Sequence, residues 1–272
     1  MVSHSDFIGS IPELYDRYLV PVVLAPFADD LARRVAASRP MRVLELACGT
    51  GLLTSRLRSA LSTDATIVAT DLQQPMLDVA RRKHNDFTGV EWQQADAMDL
   101  PFGSDRFEAV ACQFGVMFFP DKLRAAQEAA RVLEPGGTFV FNVWDGLERN
   151  QFARLVHETV GSFFQQAPPD FCLTPFGYHD PAAIGAMLSL AGFSRIEILP
   201  LSLEGIGPSA HELARGIVEG NPLSLSIRER GVEVDRVVEA VGHAIARECG
   251  DRPVRLHLNA LIVSGVRTRG HR

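Results

Sequence analysis

Val43-Leu44-Glu45-Leu46-Ala47-Cys48-Gly49-Thr50-Gly51 joins an apolar run to an acidic turn that carries two glycines. The run from Val43 to Leu46 predicts a buried strand, and the leucines that follow Gly51 recur at helical spacing. The glycines therefore fall at a strand-to-helix turn. Gly49 and Gly51 let the backbone approach a ligand closely, because neither residue has a Cβ. The turn is predicted to cradle a nucleotide.

The rest of the chain alternates apolar, β-branched segments with helical patterns. Six further strands are predicted, at 66–71, 90–96, 107–114, 137–144, 196–203 and 255–267. Helical patterns lie between them, and the turn Glu134-Pro135-Gly136-Gly137 is expected to lead into the fifth strand. This order predicts an α/β fold with a doubly wound, mostly parallel seven-stranded sheet and an antiparallel last strand.

The whole chain, 1–272, is interpreted as a single domain with helical insertions. Residues 1–40 are expected to form an N-terminal helical lid. The segments 145–180 and 209–248 follow the first five strands, so they are candidate cap insertions that enclose a substrate. The alternative is that they only add packing against the sheet.

Composition narrows the class of protein. With a net charge of -6 and a pI near 5.8, the chain is not expected to grip nucleic acid. The N-terminus lacks a signal-peptide pattern, and Pro21 and Pro26 are expected to break the short apolar run at 18–27, leaving a lid or surface segment. The protein is expected in the cytoplasm, without stable membrane insertion.

The four cysteines at 48, 112, 172 and 249 are widely spaced, without a C-x-x-C pair. No metal site or disulfide framework is expected from this spacing. Cys48 lies inside the glycine turn, where a small residue tolerated in a tight loop is favoured over a redox or nucleophilic thiol.

Asp71 ends the second predicted strand and follows Gly51 by 20 residues. A carboxylate at this position accepts hydrogen bonds from ribose hydroxyls, although a helix N-cap is the alternative. The turn itself does not match G-x-G-x-x-G, so a pyrophosphate is not the expected ligand. Glu45 would repel phosphate but suits a ligand that carries an ammonium group and a sulfonium.

These motifs resemble those of the small-molecule branch of the class I S-adenosylmethionine-dependent methyltransferases, chiefly in the first half of the chain. Glu45 to Gly51 is similar to the family's acidic glycine loop, Asp71 to its ribose-binding acid, and Arg131-Val132-Leu133-Glu134-Pro135-Gly136-Gly137 to the segment before its fifth strand. The resemblance implies a Rossmann-like sheet and a set of cofactor-binding residues: Glu45, Ala47, Gly49, Thr50, Gly51, Asp71, Leu72, Met76, Asp96, Ala97, Gln113 and Tyr18.

Two members of this set leave room for another interpretation. Ala47 stands where the first glycine of the loop is usual, and alanine costs little there if its φ is negative. Met76 resembles the apolar residue that covers the adenine ring, but a core methionine is the alternative.

The resemblance also suggests where the acceptor binds. Phe118, Phe119 and Trp144 follow the fourth and fifth strands, where family members line the acceptor pocket, and Tyr15 and Tyr178 are further pocket candidates. Ordinary core packing is the alternative for these aromatic residues. Candidate general bases are His157 and His179, and more weakly His4 and Tyr178.

The reaction implied by the resemblance is attack by a substrate nucleophile on the sulfonium methyl group, which leaves S-adenosyl-L-homocysteine. The sulfonium leaving group is already activated, so alignment supplies most of the acceleration. The expected acceptor is an O, N or C nucleophile of a small, aromatic or apolar metabolite. Two alternatives are an NAD(P)-dependent oxidoreductase and a non-catalytic binder of an S-adenosyl ligand. A homodimer is left open.

Overall fold

The computed structural model describes residues 7–268. Its sheet has seven strands in the order β3-β2-β1-β4-β5-β7-β6. The strands are β1 (Arg42–Leu46), β2 (Thr66–Asp71), β3 (Val90–Gln94), β4 (Phe107–Gln113), β5 (Leu133–Trp144), β6 (Phe193–Gly207) and β7 (Val254–Arg267). Strands β1 to β5 pair in parallel, and β5 pairs with β7 antiparallel. The predicted fold class is confirmed.

Eleven α-helices and one π-helix precede or connect these strands within the described residues. They are α1 (Ile11–Leu14), the π-helix (Tyr15–Leu24), α2 (Ala25–Ala36), α3 (Leu52–Ala60), α4 (Gln74–Lys83), α5 (Lys122–Val132), α6 (Gln151–Gly161), α7 (Leu173–Gly177), α8 (Pro181–Leu190), α9 (Ala210–Glu219), α10 (Leu223–Glu229) and α11 (Val234–Cys249). None of the described helices is long and apolar enough to cross a bilayer.

The chain divides into two compact units. The helical unit contains the residues up to Phe27, Asp145–Tyr178 and Ser202–Asn259. The sheet unit contains Ala28–Trp144, His179–Leu201 and the residues from Ala260 onward. The predicted cap segments at 145–180 and 209–248 fall almost wholly in the helical unit, and their capping role stays a prediction.

The centre of the sheet unit is strand β1. Val43, Leu44 and Leu46 are each at most 1% exposed, and β1 has parallel neighbours on both sides. A strand that is covered on both faces has a continuous apolar sequence, which is why the sequence predicts this strand. The strand ends at the glycine turn.

The helical unit depends on close approaches of backbone. A Cβ on Gly216 of α9 would lie 2.8 Å from backbone atoms of Tyr18 and Leu19, and one on Gly205 would lie 2.3 Å from the Val22 carbonyl oxygen. These glycines let α9 and the 202–207 part of β6 pack directly on the π-helix. Buried Asn150 adds polar links, donating to the carbonyl oxygens of Asp145 and Asn259 at 3.0 Å each.

The expected break at Pro21 and Pro26 is wrong. Pro21 lies inside the π-helix, and Pro26 is the second residue of α2, which continues from the π-helix without a break. Val20, Val22 and Val23 are buried, so this part of the chain is not a surface segment, and its role as a lid stays a prediction.

Several predicted boundaries also shift. Strand β3 ends at Gln94, and the predicted Glu134 to Gly137 turn is part of β5, opposite an irregular register between Phe107 and Ala109 of β4. Strand β6 is longer than expected, and the predicted helical stretch at 209–248 consists of α9, α10 and α11.

Candidate active site

The glycine turn lies between the end of β1 and the start of α3. Ala47, Gly49 and Gly51 all have positive φ, at 52°, 55° and 83°. The Cys48 N–H donates to the Thr70 carbonyl at 2.9 Å, which ties the turn to β2. A Cβ on Gly49 would meet nothing within 4 Å, so open space lies beside this backbone. The turn can therefore admit a ligand against its main chain.

Alanine at position 47 was expected to cost little free energy only if its φ is negative, and this condition is not met. Its φ is positive, and the left-handed region costs an L-residue about 1–2 kcal/mol. A Cβ built on Gly115, after β4, would lie 2.6 Å from the Ala47 methyl group. Glycine at 115 therefore makes room for alanine at 47.

Asp71 lies at the end of β2 and is 9% exposed. Its Oδ2 accepts from the Gly49 N–H at 2.9 Å, and its Oδ1 accepts from the Gln73 N–H at 2.8 Å. Burial raises the pKa of Asp71, while these backbone donors oppose that shift. The N-cap of α4 is Gln73, so Asp71 is not the cap residue. A carboxylate oxygen has a second lone pair, which leaves capacity for ribose hydroxyls.

Glu45 lies beneath the turn and is only 1% exposed. The Thr54 hydroxyl donates to its Oε2 at 2.6 Å, and the Thr70 hydroxyl donates to its carbonyl oxygen at 2.8 Å. Burial, with a contribution from Asp71, raises the pKa of Glu45 to about 8. The expected attraction for a cationic ligand needs an ionised carboxylate, and this environment favours the neutral form at pH 7. Glu45 instead links β1, β2 and α3.

The remaining predicted cofactor residues of the sheet unit differ in exposure. Leu72 follows Asp71 and is 49% exposed, so it offers apolar surface beside the carboxylate. Met76 is 4% exposed in α4, which is the burial expected of a core methionine. Asp96 accepts from the Met98 N–H at 2.8 Å, and Ala97 is buried. The Thr50 hydroxyl is buried without a hydrogen-bond partner among the described residues.

The end of β4 has a second unusual turn, beginning after Gln113. Phe114 has a φ of 49°, and its N–H donates to Asn142 Oδ1 at 2.9 Å. Its ring stacks on Trp144, with centroids 3.9 Å apart and planes 12° apart. Sequence reasoning did not identify Asn142. The available signal was an amide inside the apolar run Phe139-Val140-Phe141-Asn142-Val143-Trp144.

The predicted acceptor residues of the sheet unit lie near this turn in sequence. Phe118 ends the short 3₁₀ helix Val116–Phe118, and Phe119 follows it; both are half-buried. Trp144 is 5% exposed and lies against Phe114. These positions agree both with a pocket wall and with core packing, so the acceptor role stays a prediction.

Four predicted residues belong to the helical unit. Tyr15 meets the Phe7 ring edge-on at 5.7 Å, and Tyr18 has the guanidinium groups of Arg17 and Arg215 within 5.4 Å of its ring centroid. Burial raises the pKa of Tyr178. His157 is half-buried in α6, and its Nδ1 has no hydrogen-bond partner in the described part of the chain.

His179 begins a segment of the sheet unit and is exposed. His4 lies outside the described residues. The general-base roles of these histidines stay predictions.

All four cysteines are free thiols. Burial raises the pKa of Cys48 well above its ordinary value and the pKa of Cys112 to about 12, so both are held as unreactive thiols. Across residues 7–268, no group of three or more His, Cys, Asp or Glu side chains is arranged to hold a metal ion.

The site fits an S-adenosyl ligand. Gly49 has open space beside its backbone, Asp71 orders the same turn and keeps acceptor capacity, and Leu72 adds exposed apolar surface. All three lie at the carboxyl ends of β1 and β2, where open α/β sheets bind nucleotides.

Comparisons with known proteins agree with this geometry. A family model described as a methyltransferase domain matches residues 43–137. The demethylmenaquinone methyltransferase of Thermus thermophilus is 34% identical over 217 residues, covering 71% of this chain and 96% of that protein.

Two solved structures show a similar fold. The YcgJ protein of Bacillus subtilis has a TM-score of 0.59 at 19% identity, covering 90% of this chain and 99% of that one. A phosphoethanolamine N-methyltransferase of Haemonchus contortus, bound to phosphomonomethylethanolamine and S-adenosylhomocysteine, has a TM-score of 0.57 at 16% identity, covering 89% and 52%. The glycine turn, the sheet and the match to nearly the whole Thermus thermophilus protein together show the family. This chain belongs to the class I S-adenosylmethionine-dependent methyltransferases, enzymes that use S-adenosylmethionine as the methyl donor.

Proposed function

We propose that this enzyme methylates an O, N or C nucleophile of a small, planar, apolar metabolite of the quinol type. The observation that carries this proposal is the aromatic group that follows β4 and β5. Phe114 stacks on Trp144 at 3.9 Å, and Phe118 and Phe119 follow in the same connection after β4. Stacked aromatic rings favour another flat ring over a charged or strongly hydrated acceptor.

The named relative supports this acceptor class. The Thermus thermophilus protein is a demethylmenaquinone methyltransferase, and the match extends over 96% of its length. The acidic net charge of -6 also disfavours nucleic acid as the acceptor. The relative and the acidic net charge both agree with a small acceptor, in the cytoplasm or at a membrane surface.

The proposed division of labour among the side chains follows from their positions. Asp71 orients the ribose while it holds the Gly49 N–H, and the backbone of the turn approaches the methionine part of the donor. The sulfonium supplies an activated methyl group, so the protein chiefly aligns the nucleophile and excludes water. Leu72 covers one side of the adenine. A general base is needed only for an acceptor that is protonated at neutral pH, and His157 and His179 are the candidates.

The experiment is methyl transfer from labelled S-adenosylmethionine to a panel of acceptors, read by mass spectrometry. The panel contains a short-chain demethylnaphthoquinol, a simple phenol and phosphoethanolamine. The expected result is a labelled methyl group on the quinol, with little on phosphoethanolamine. Labelling of phosphoethanolamine alone would contradict the proposed acceptor class.

Calorimetry with S-adenosylhomocysteine and NADH accompanies this experiment. Binding of S-adenosylhomocysteine without methylation of any acceptor would favour the non-catalytic binder. NADH binding in place of S-adenosylhomocysteine would overturn the assigned cofactor site.

A further inference from the structure

Asn142 is a buried amide at the edge of the proposed site. It lies near the end of β5, opposite Gln113 of β4, and is 0% exposed. Its Oδ1 accepts from the Phe114 N–H at 2.9 Å, whereas its Nδ2 has no hydrogen-bond partner among residues 7–268. An unsatisfied buried donor is costly, so an amide at this position calls for a physical reason.

The reason lies in the conformation of Phe114. A φ of 49° places this large side chain in the left-handed region, which favours glycine. Such a conformation persists only where its surroundings hold it. The hydrogen bond to Asn142 and the stack on Trp144 are contacts of this kind.

The conformation of Phe114 determines where Gly115 lies. A Cβ on Gly115 would come within 2.6 Å of the Ala47 methyl group and 2.7 Å of Cys112 Sγ. The backbone at 115 therefore packs tightly against the first residue of the glycine turn. Ala47 also has a left-handed backbone. Gly115 therefore lies between two strained residues, Phe114 in the chain and Ala47 across the contact.

We propose that Asn142 is a positioning residue for the cofactor turn. Its Oδ1 holds Phe114 left-handed, which seats Gly115 against Ala47 and keeps the turn of residues 47–51 in its ligand-ready shape. This inference rests on the proposed placement of the donor at that turn. Asn142 itself is buried, so it acts through Phe114 and Gly115.

The test is calorimetric titration with S-adenosylhomocysteine. Asn142→Leu removes the acceptor at nearly constant side-chain volume, and we expect about tenfold weaker binding or more, as for loss of a buried hydrogen bond. Thr138→Val is the matched control, because Thr138 lies on the same strand and its hydroxyl is also buried without a partner in the described chain. Its affinity should stay within about twofold of the wild type.

Asn142→Asp separates positioning from simple loss of stability, because it keeps an acceptor oxygen at nearly constant volume in either protonation state. A carboxyl group buried here is expected to lower the free energy of unfolding, yet the folded variant should bind S-adenosylhomocysteine within about threefold of the wild type. If Asn142→Leu does not fold, Asn142→Ala removes the acceptor in its place.

Trp144 fluorescence gives a second readout, because the chain has only two tryptophans and Trp92→Phe leaves Trp144 alone. In that background, Asn142→Leu should change the Trp144 emission, and Thr138→Val should not.

The proposal is overturned if Asn142→Leu binds as the wild type does, if Thr138→Val is equally weakened, or if folded Asn142→Asp is weakened as much as Asn142→Leu. Failure of the wild-type protein to bind S-adenosylhomocysteine would instead overturn the proposed function.

Discussion

The sheet unit and the helical unit are built by different means. In the sheet unit, polar side chains at strand ends hold the glycine turn: Asp71 binds the Gly49 N–H, and Glu45 binds the Thr54 hydroxyl. In the helical unit, glycines such as Gly216 let helices approach closely, and the predicted site residues Tyr15 and Tyr18 make ring contacts. The methyltransferase family model matches only residues 43–137, within the sheet unit. The glycine turn of the sheet unit thus depends on polar side chains at strand ends, whereas the helical unit depends on glycines that allow close packing.

The largest expected effect is on Asp71. Asp71→Ala should weaken S-adenosylmethionine binding by about 2–3 kcal/mol, because it removes a charge-assisted acceptor and the bond that orders Gly49. Asp78→Ala is the control, since Asp78 is exposed on the neighbouring α4. Isothermal titration calorimetry measures both. Equal affinities for Asp71→Ala and the wild type would remove Asp71 from the site.

The second prediction tests whether the helical unit depends on close packing. Gly216→Ala places a Cβ 2.8 Å from the backbone of Tyr18 and Leu19, so we expect a loss of about 1–3 kcal/mol in the free energy of unfolding. Gly161→Ala has nothing within 4 Å and should be neutral or slightly stabilising. Urea unfolding compares the two variants.

Binding of S-adenosylhomocysteine to folded Gly216→Ala then tests the contrast between the units. An affinity within about threefold of the wild type keeps the donor site in the sheet unit. A loss of affinity as large as that of Asp71→Ala would show that the helical unit also contributes to donor binding. It would support the predicted cofactor role of Tyr18.

A third, smaller effect concerns the pH dependence of stability. The pKa of Glu45 is raised to about 8 in the folded protein, above its ordinary 4.5. The folded state therefore holds a proton that the unfolded chain releases, so this contribution to stability is complete below pH 4.5 and is lost as pH rises toward 8. Glu45→Gln removes this titration, and its unfolding free energy should fall less than that of the wild type over this range. If the unfolding free energies of Glu45→Gln and the wild type, measured with urea, changed equally with pH, a buried and neutral Glu45 would be contradicted.

The smallest expected effect is at Ala47. Ala47→Gly relieves a left-handed alanine but adds freedom to the unfolded chain, so the net gain in unfolding free energy should be about 1 kcal/mol or less. Thermal unfolding measures it, with the exposed Ala60→Gly at the end of α3 as a destabilising control. A clear loss of stability at position 47 would show that the methyl packing against Gly115 outweighs the strain.

Much of the sheet unit was predictable because its signals are short-range. A continuous apolar run such as Val43 to Leu46 indicates a buried strand, and Asp71 is found by its distance from Gly51. The Pro21 break was wrong because packing of α9 and β6 on the π-helix supports a helix that local preference disfavours. The cofactor and acceptor roles of the individual residues stay predictions.

By itself, the sequence determined the order of strands and helices along the chain and the mostly parallel sheet, because these features depend on periodicity and on spacings within single strand–turn–helix units. The methyl donor was implied by the resemblance of the motifs to a known family. Only the tertiary structure decided that Ala47 is left-handed over Gly115 and that Asn142 accepts from the Phe114 N–H. Those contacts join the ends of β1, β4 and β5, which are far apart in the chain, so no local pattern encodes them. The contact of Glu45 with Thr54 lies within one strand–turn–helix unit, but the burial of Glu45 depends on the strands on both sides of β1.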